Sequence, residues 1–357
     1  MRVALPLSVN VIRSPGRAGV ALGAVATAAV FVTGLLWAKW APYATKALRA
    51  RRTHHWPGSN ILTVGGVHSG DAPTWHAATT FFHAYVLSIW QALVVALLIS
   101  ASVQAFIPRS WLPRLLNRRR LVFSAVAGGL AGMPSMMCTC CAAPVAVTLR
   151  RNGVSRVAAI AYWLGNPVLN PAVLVFLVFV APWQWALTRL VVGIAAVVGV
   201  ATVVGLVTRS RRVPPPETPA LTPQPWAPAL SFARALLRLC LVLLPEYAVL
   251  VLALGAFRGW LLSLTHLQQG GLLIVVLAAV VGTLIVVPTA GEIPILQGLA
   301  LLGVSSGTLG ALLITLPAVS VPGAVMVARS FGWRAVATAV VVMIAAGLLG
   351  AAFLTLI

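Results

Sequence analysis

The chain has 357 residues, 60% of them hydrophobic and only 8% charged, with a mean hydropathy of +1.00. Soluble domains carry roughly 25% charged residues, so a soluble enzyme or binding module is excluded and an all-α integral membrane protein is expected. The net charge of +21 would suggest nucleic acid in a soluble chain; here the arginines flank apolar runs, the pattern that orients membrane helices, and no nucleic-acid partner is expected.

The N-terminus is basic and leads into an apolar run from Ala18 to Trp37, too long for a signal-peptide core and read as a retained first helix. Residues 1–78 form a first unit: that helix, then an extramembrane loop over 39–78 with room for a short interfacial helix near 42–52. His54, His55, His68 and His76 fall in this loop with no metal-site spacing and are read as solvated. Residues 79–212 form a first membrane repeat. Its helix over 80–107 is followed by an arginine-rich loop, an interrupted apolar segment over 121–150, a helix over 156–181 holding Asn166-Pro167 and Asn170-Pro171, and a helix over 185–207. Residues 213–229 hold seven prolines in seventeen residues, an extended linker. Residues 230–357 then form a second membrane repeat, with an apolar segment over 271–303 broken at Pro288 and Pro294.

The two repeats share landmarks at an offset of 150: Pro144 falls on Pro294, Gly153-Val154-Ser155 on Gly303-Val304-Ser305, Pro167 on Pro317 and Asn170 on Ser320. Interrupted apolar segments at matching places in two halves point to a transporter's binding site. If 121–150 is a re-entrant hairpin, the side holding its flanks carries Arg109, Arg114, Arg118, Arg119, Arg120, Arg150, Arg151 and Arg156, against only Arg258 in the matching flanks of the second half. The positive-inside rule then makes the halves inverted repeats, each with three full spans and one proline-broken hairpin. If each hairpin is instead a broken span, the halves run parallel. Five basic residues in 39–78 count against the inverted arrangement, which places that loop outside.

The chemistry concentrates in Met133–Pro144. Cys138, Cys140 and Cys141 lie there with Met133, Met136 and Met137, bracketed by Pro134 and Pro144. Thiolates and thioethers are soft ligands, so the three cysteines are candidates for binding a thiophilic substrate or a metal ion; tight apolar packing explains the same residues equally well. A helix starting near Ala142 would turn its positive end toward the sulfurs. Asn166 and Asn170, four apart on one helix face with Tyr162, are candidates for lining the path or for tying helices together. Of only four acids, Glu292 sits in the second break and Glu246 mid-helix beside Pro245, so both are proton-coupling candidates and Glu292 is a substrate-binding candidate as well; the rival for each is a structural hydrogen bond or an arginine such as Arg234 or Arg238. No glycine-rich nucleotide loop is present, and no cofactor is expected.

The strings MMCTCCAAPVAV at 136–147, WLGNPVLNPA at 163–172 and KWAPY at 39–43 resemble the predicted permease family that includes the organoarsenical efflux permeases. The resemblance spans roughly 36–357. It implies a multi-pass permease of the cell membrane with two duplicated halves, exporting a thiophilic or metalloid-type solute through a site formed by two broken-helix hairpins. A membrane thiol oxidoreductase, with Cys240 as the resolving thiol, and a non-transporting subunit of a larger assembly are the alternatives. A homo-oligomer or an accessory membrane subunit is left open as a partner.

Overall fold

The computed structural model describes residues 17–57, 61–108, 110–208, 228–263 and 271–357. Among these every regular element is helical. The proline-rich linker expected over 213–229 falls almost wholly outside the described residues.

The first helix does not end where a loop is expected. Helix α1 (Arg17–Leu35) passes through a π-helical turn (Leu36–Trp40) directly into α2 (Ala41–Thr53). Residues 39–53 therefore extend the first helix where an irregular loop is expected. Pro42 causes no break because it stands in the first turn of α2, where its missing N–H costs least. A short 3₁₀ segment (Ile61–Gly66) then leads to α3 (Trp75–Phe106), capped by the Thr74 hydroxyl, which accepts from the Ala77 N–H.

After the short α4 (Trp111–Leu116), the first half continues with α5 (Leu121–Gly132), α6 (Thr139–Arg151), α7 (Arg156–Val168), α8 (Pro171–Val180) and α9 (Trp183–Val207). The second runs α10 (Pro228–Ser263), α11 (Gly271–Gly282), α12 (Glu292–Leu301), α13 (Ser306–Ala318), α14 (Val321–Phe331) and α15 (Trp333–Leu356). At the offset of 150, α5 and α11 coincide at both ends, as do α7 and α13, and α9 and α15 share their first residue. Shared local signals explain the agreement. Ser155 and Ser305 cap α7 and α13 through their hydroxyls, and Gly153 and Gly303, at φ +86° and +80°, end the preceding helices in the left-handed region.

Prolines mark the breaks less directly than expected. Pro144 lies inside α6 and Pro294 in the first turn of α12. The first interruption is instead Met133–Cys138 and the second the non-helical stretch between α11 and α12. Each contains a non-glycine residue in the left-handed region, Met136 at φ +51° and Ala290 at φ +68°. Two further interruptions separate α7 from α8 and α13 from α14, the latter pair bent by 52°.

Five helices are long and apolar enough among the described residues to cross a membrane, or six with that bent pair as one span. α3 packs along α10 and α9 along α15, so these matching elements of the two halves pair with each other. α5 packs on α7 through small residues; a Cβ on Gly128 would overlap the Ala158 carbonyl. Gly128→Leu should therefore push these helices apart, costing about 1–3 kcal/mol or more. Thermal unfolding of the purified variant in detergent measures this, and an unchanged midpoint would mean that α5 can shift freely.

Candidate functional site

Residue 138 is the N-cap of α6, and the helix starts at Thr139, three residues before the expected start near Ala142. Cys140 and Cys141 consequently stand in its first turn, and all three thiols turn to one place. Sγ of Cys138 lies 3.0 Å from Sγ of Cys140 and 3.3 Å from Sγ of Cys141, and all three sulfurs fall within 4.8 Å of one another. All three residues are buried, and Met137 beside them is fully so. Pro144 has no N–H to give the Cys140 carbonyl, so that oxygen is released from the helix ladder beside its own thiol.

Other helices close the site with donors. Tyr85 on α3 and Tyr247 on α10 place their hydroxyls 3.3 and 3.4 Å from Cys140 Sγ. Lys39, from the π turn of the first helix, is 4% exposed, and its Nζ donates to Tyr43 Oη and to Thr289 Oγ1, both at 3.1 Å. Thr289 belongs to the second interruption, so Lys39 links it to the sulfur side. Thr139 Oγ1 meets Ser320 Oγ at 3.0 Å, and Trp163 Nε1 donates to the Thr139 carbonyl at 2.8 Å. Interrupted segments of both halves thus come together in the protein interior.

Asn166 and Asn170 are both fully buried but do not share one helix face, because α7 ends at Val168 and Asn170 begins α8. Asn166 Nδ2 donates to the Tyr162 carbonyl at 2.8 Å, and its Oδ1 accepts from the Met137 N–H at 3.5 Å. Tyr162 in turn meets Ser135 Oγ at 3.1 Å. This pair ties α7 to the first interruption. Asn170 Oδ1 caps α8, accepting from the Ala172 and Val173 N–H groups.

The second buried charge is Glu292, at the start of α12. Its partner is neither Arg234 nor Arg238 but Arg189 of α9, with Nη2 2.9 Å from Oε1 and both side chains buried. The same guanidinium donates to the carbonyls of Pro167 (2.7 Å), Val168 (3.1 Å) and Leu313 (3.3 Å). Each is an oxygen that its helix cannot use. Pro171 and Pro317 have no N–H for Pro167 and Leu313, and the Ala172 N–H that would serve Val168 goes to Asn170. One arginine therefore satisfies interruptions in both halves and neutralises an acid of the second. Glu246 lies on α10, but its side chain is outside the described residues.

A family model described as a predicted permease matches residues 74–354. The chain belongs to this permease family. It is 41% identical over 312 residues to the UPF0718 protein YraQ of Escherichia coli strain K12, which covers 86% of this chain and 87% of that protein. No solved structure matches the chain. The permease is a multi-pass membrane protein, and its family points to a transporter rather than an enzyme.

Four residues of the candidate site are missed from sequence: Lys39, Arg189, Tyr85 and Tyr247. Arg189 had a usable signal, a lone cation within an apolar run. Lys39 had the KWAPY string, though its neighbours Lys46 and Arg49 made it look like part of a basic flank. The tyrosines had none, because only tertiary packing brings α3 and α10 to Cys140. Cys240 is not brought to the cluster; it packs beside Leu97, Ala101, Ala235 and Leu239 in a separate part of the core.

Proposed function

We propose that this permease is a secondary transporter that exports a thiophilic ion or metalloid-type solute across the cell membrane, with Cys138, Cys140 and Cys141 as its ligands. The convergence of three thiols in a buried break of a helix carries this reading. Soft ligands select soft ions, and no His, Asp or Glu stands with the three thiols among the described residues. Cys240 packs away from the cluster, which counts against it as the resolving thiol of an oxidoreductase.

In this reading the two halves are inverted repeats, and α5–α6 and α11–α12 are re-entrant hairpins. The helices support it: 12 and 13 residues in one pair and 12 and 10 in the other. At about 1.5 Å per residue none reaches the roughly 30 Å of a bilayer core. Pairing of α3 with α10 and of α9 with α15 fits a two-fold axis between the halves.

Reconstitution into proteoliposomes tests transport. Flux of at least one among a trivalent organoarsenical, antimonite and copper(I) is expected, and it should vanish when all three cysteines are serine. Absence of flux for every thiophile would sink the reading. Glu292 is read as the coupling acid, whose protonation would release Arg189 from the ion pair. Glu292→Gln should then leave transport indifferent to an imposed pH gradient, and a gradient response equal to that of the wild type would assign Glu292 a structural role alone.

A further inference from the structure

The arginine-rich loop after α4 is locked to a second basic stretch, the turn between α6 and α7. Asn117, at the end of α4, donates from Nδ2 to the Gly153 carbonyl at 3.2 Å, and its Oδ1 accepts from the Ser155 N–H at 2.6 Å. Ser124 Oγ fixes the loop from α5, accepting from the Arg118 N–H at 2.7 Å and donating to the Arg118 carbonyl at 3.2 Å. Arg118 and Arg119 are exposed on one side of this junction, and Arg150, Arg151 and Arg156 are half-buried on the other. None of the five forms an ion pair among the described residues. The two acids with described side chains are engaged elsewhere, Asp71 with His68 and Glu292 with Arg189. The Nε atoms of Arg150, Arg151 and Arg156 are buried and find no hydrogen-bond partner in the protein. Membrane orientation needs only basic residues on one side of the bilayer. It needs neither two loops pinned together nor guanidinium donors left without acceptors, which are costly where they are buried.

The surroundings of the junction say which anion suits it. Before the loop, α4 exposes Trp111 and Leu115; after it, α5 exposes Val122 and Phe123, with the Arg120 guanidinium 6.0 Å from the Phe123 ring. Cations bordered by exposed tryptophan and aliphatic side chains are the order met at the headgroup level of a bilayer. We infer that the junction of the α4–α5 loop with the α6–α7 turn is a binding site for an anionic phospholipid with two phosphates in its head, of the cardiolipin type. Arginines on both sides of a fixed junction give each phosphate its own guanidinium partners, and guanidinium matches phosphate through paired N–H donors. The apolar border takes the acyl chains, which a free phosphate lacks. The bound lipid supplies the acceptors that Arg150, Arg151 and Arg156 lack and staples α4–α5 to α6–α7. This site is separate from the cysteines and stands whether or not they bind a solute.

Delipidated full-length protein in a neutral detergent, titrated with cardiolipin, phosphatidylglycerol or phosphatidylcholine and followed by native mass spectrometry and thermal midpoint, tests the inference. Cardiolipin should bind about fivefold or more tighter than phosphatidylglycerol, and phosphatidylcholine weakest. Arg150→Gln, Arg151→Gln and Arg156→Gln together should weaken cardiolipin about 100-fold, roughly fivefold for each arginine, and leave phosphatidylcholine unchanged. Arg49→Gln, Arg51→Gln and Arg52→Gln remove the same charge from exposed positions on α2 and should leave cardiolipin within about threefold. Arg118→Gln with Arg119→Gln repeats the test at exposed positions, where folding is not at stake, and should cost about 25-fold. Equal losses in the two triple variants, or phosphatidylglycerol bound as tightly as cardiolipin, would reduce the junction to diffuse attraction and overturn the inference. A rise in thermal midpoint with millimolar inorganic phosphate equal to that with cardiolipin would also overturn it, by assigning the arginines to a free anion.

Discussion

Cys140→Ser is expected to lower affinity for thiophilic solutes by about 100-fold or more while leaving the protein folded, because it removes one of the three converging thiols. Its sulfur touches Cys138 and faces both Tyr85 and Tyr247. Serine preserves a donor and acceptor for those hydroxyls in slightly less volume, so packing survives. What it removes is a soft ligand, and outer-shell changes around metal sites alone cost 10–100-fold. Tyr85→Phe supplies the scale, since it deletes only an outer contact to the ligand sulfur and should cost less than the serine substitution. Resistance of an expressing strain to the thiophiles proposed as substrates, read beside protein abundance in the membrane, checks both. Full resistance with serine at all three cysteine positions would return the sulfurs to a packing role.

Most of the element pattern was legible in the sequence, because local chemistry writes it. The Gly-Val-Ser turns at 153–155 and 303–305 combine a left-handed glycine with a serine cap, and those two signals place the ends of four helices. The Asn170-Pro171 pair carries a signal of the same kind, an N-cap followed by proline at the first helical position, but a helix expected straight through 156–181 passes over it. Pro144 and Pro294 misled, because a proline near the start of a helix removes one carbonyl's partner without ending the helix. The sulfur cluster and Glu292 could be singled out because such residues are rare at membrane depth. Their partners could not. Nothing local to Lys39 distinguishes a basic flank from a buried charge; that depends on the helix continuing through the π turn to Thr53 and on Thr289 lying opposite. Arg189 does carry a local signal as a lone cation in an apolar run, but its acceptors, from α7, α13 and α12, are set by tertiary packing.

Arg189→Met should be among the most destabilising substitutions in the protein, by about 3–5 kcal/mol, since removing one partner of a buried ion pair strands the other. Here the loss is wider than one pair. The guanidinium also serves Pro167, Val168 and Leu313, and their carbonyls have no alternative donor in their own helices. Glu292→Gln should cost less, because Arg189 keeps three acceptors and a neutral amide oxygen can still receive one of its bonds. Arg189→Met combined with Glu292→Gln should recover part of the single loss, as the stranded carboxylate is gone while the three carbonyls remain. Thermal midpoints of the four proteins in one detergent give the cycle, with Arg120→Met as an exposed reference on the arginine-rich flank. If Arg189→Met unfolds no earlier than Arg120→Met, the interruptions of the two halves are held by packing and not by this arginine. If it does unfold earlier, the sharing of Arg189 between Glu292 and the unused carbonyls explains why an acid is tolerated in this interior: the broken helices of both halves need a cation at their meeting point, and that cation needs an anion.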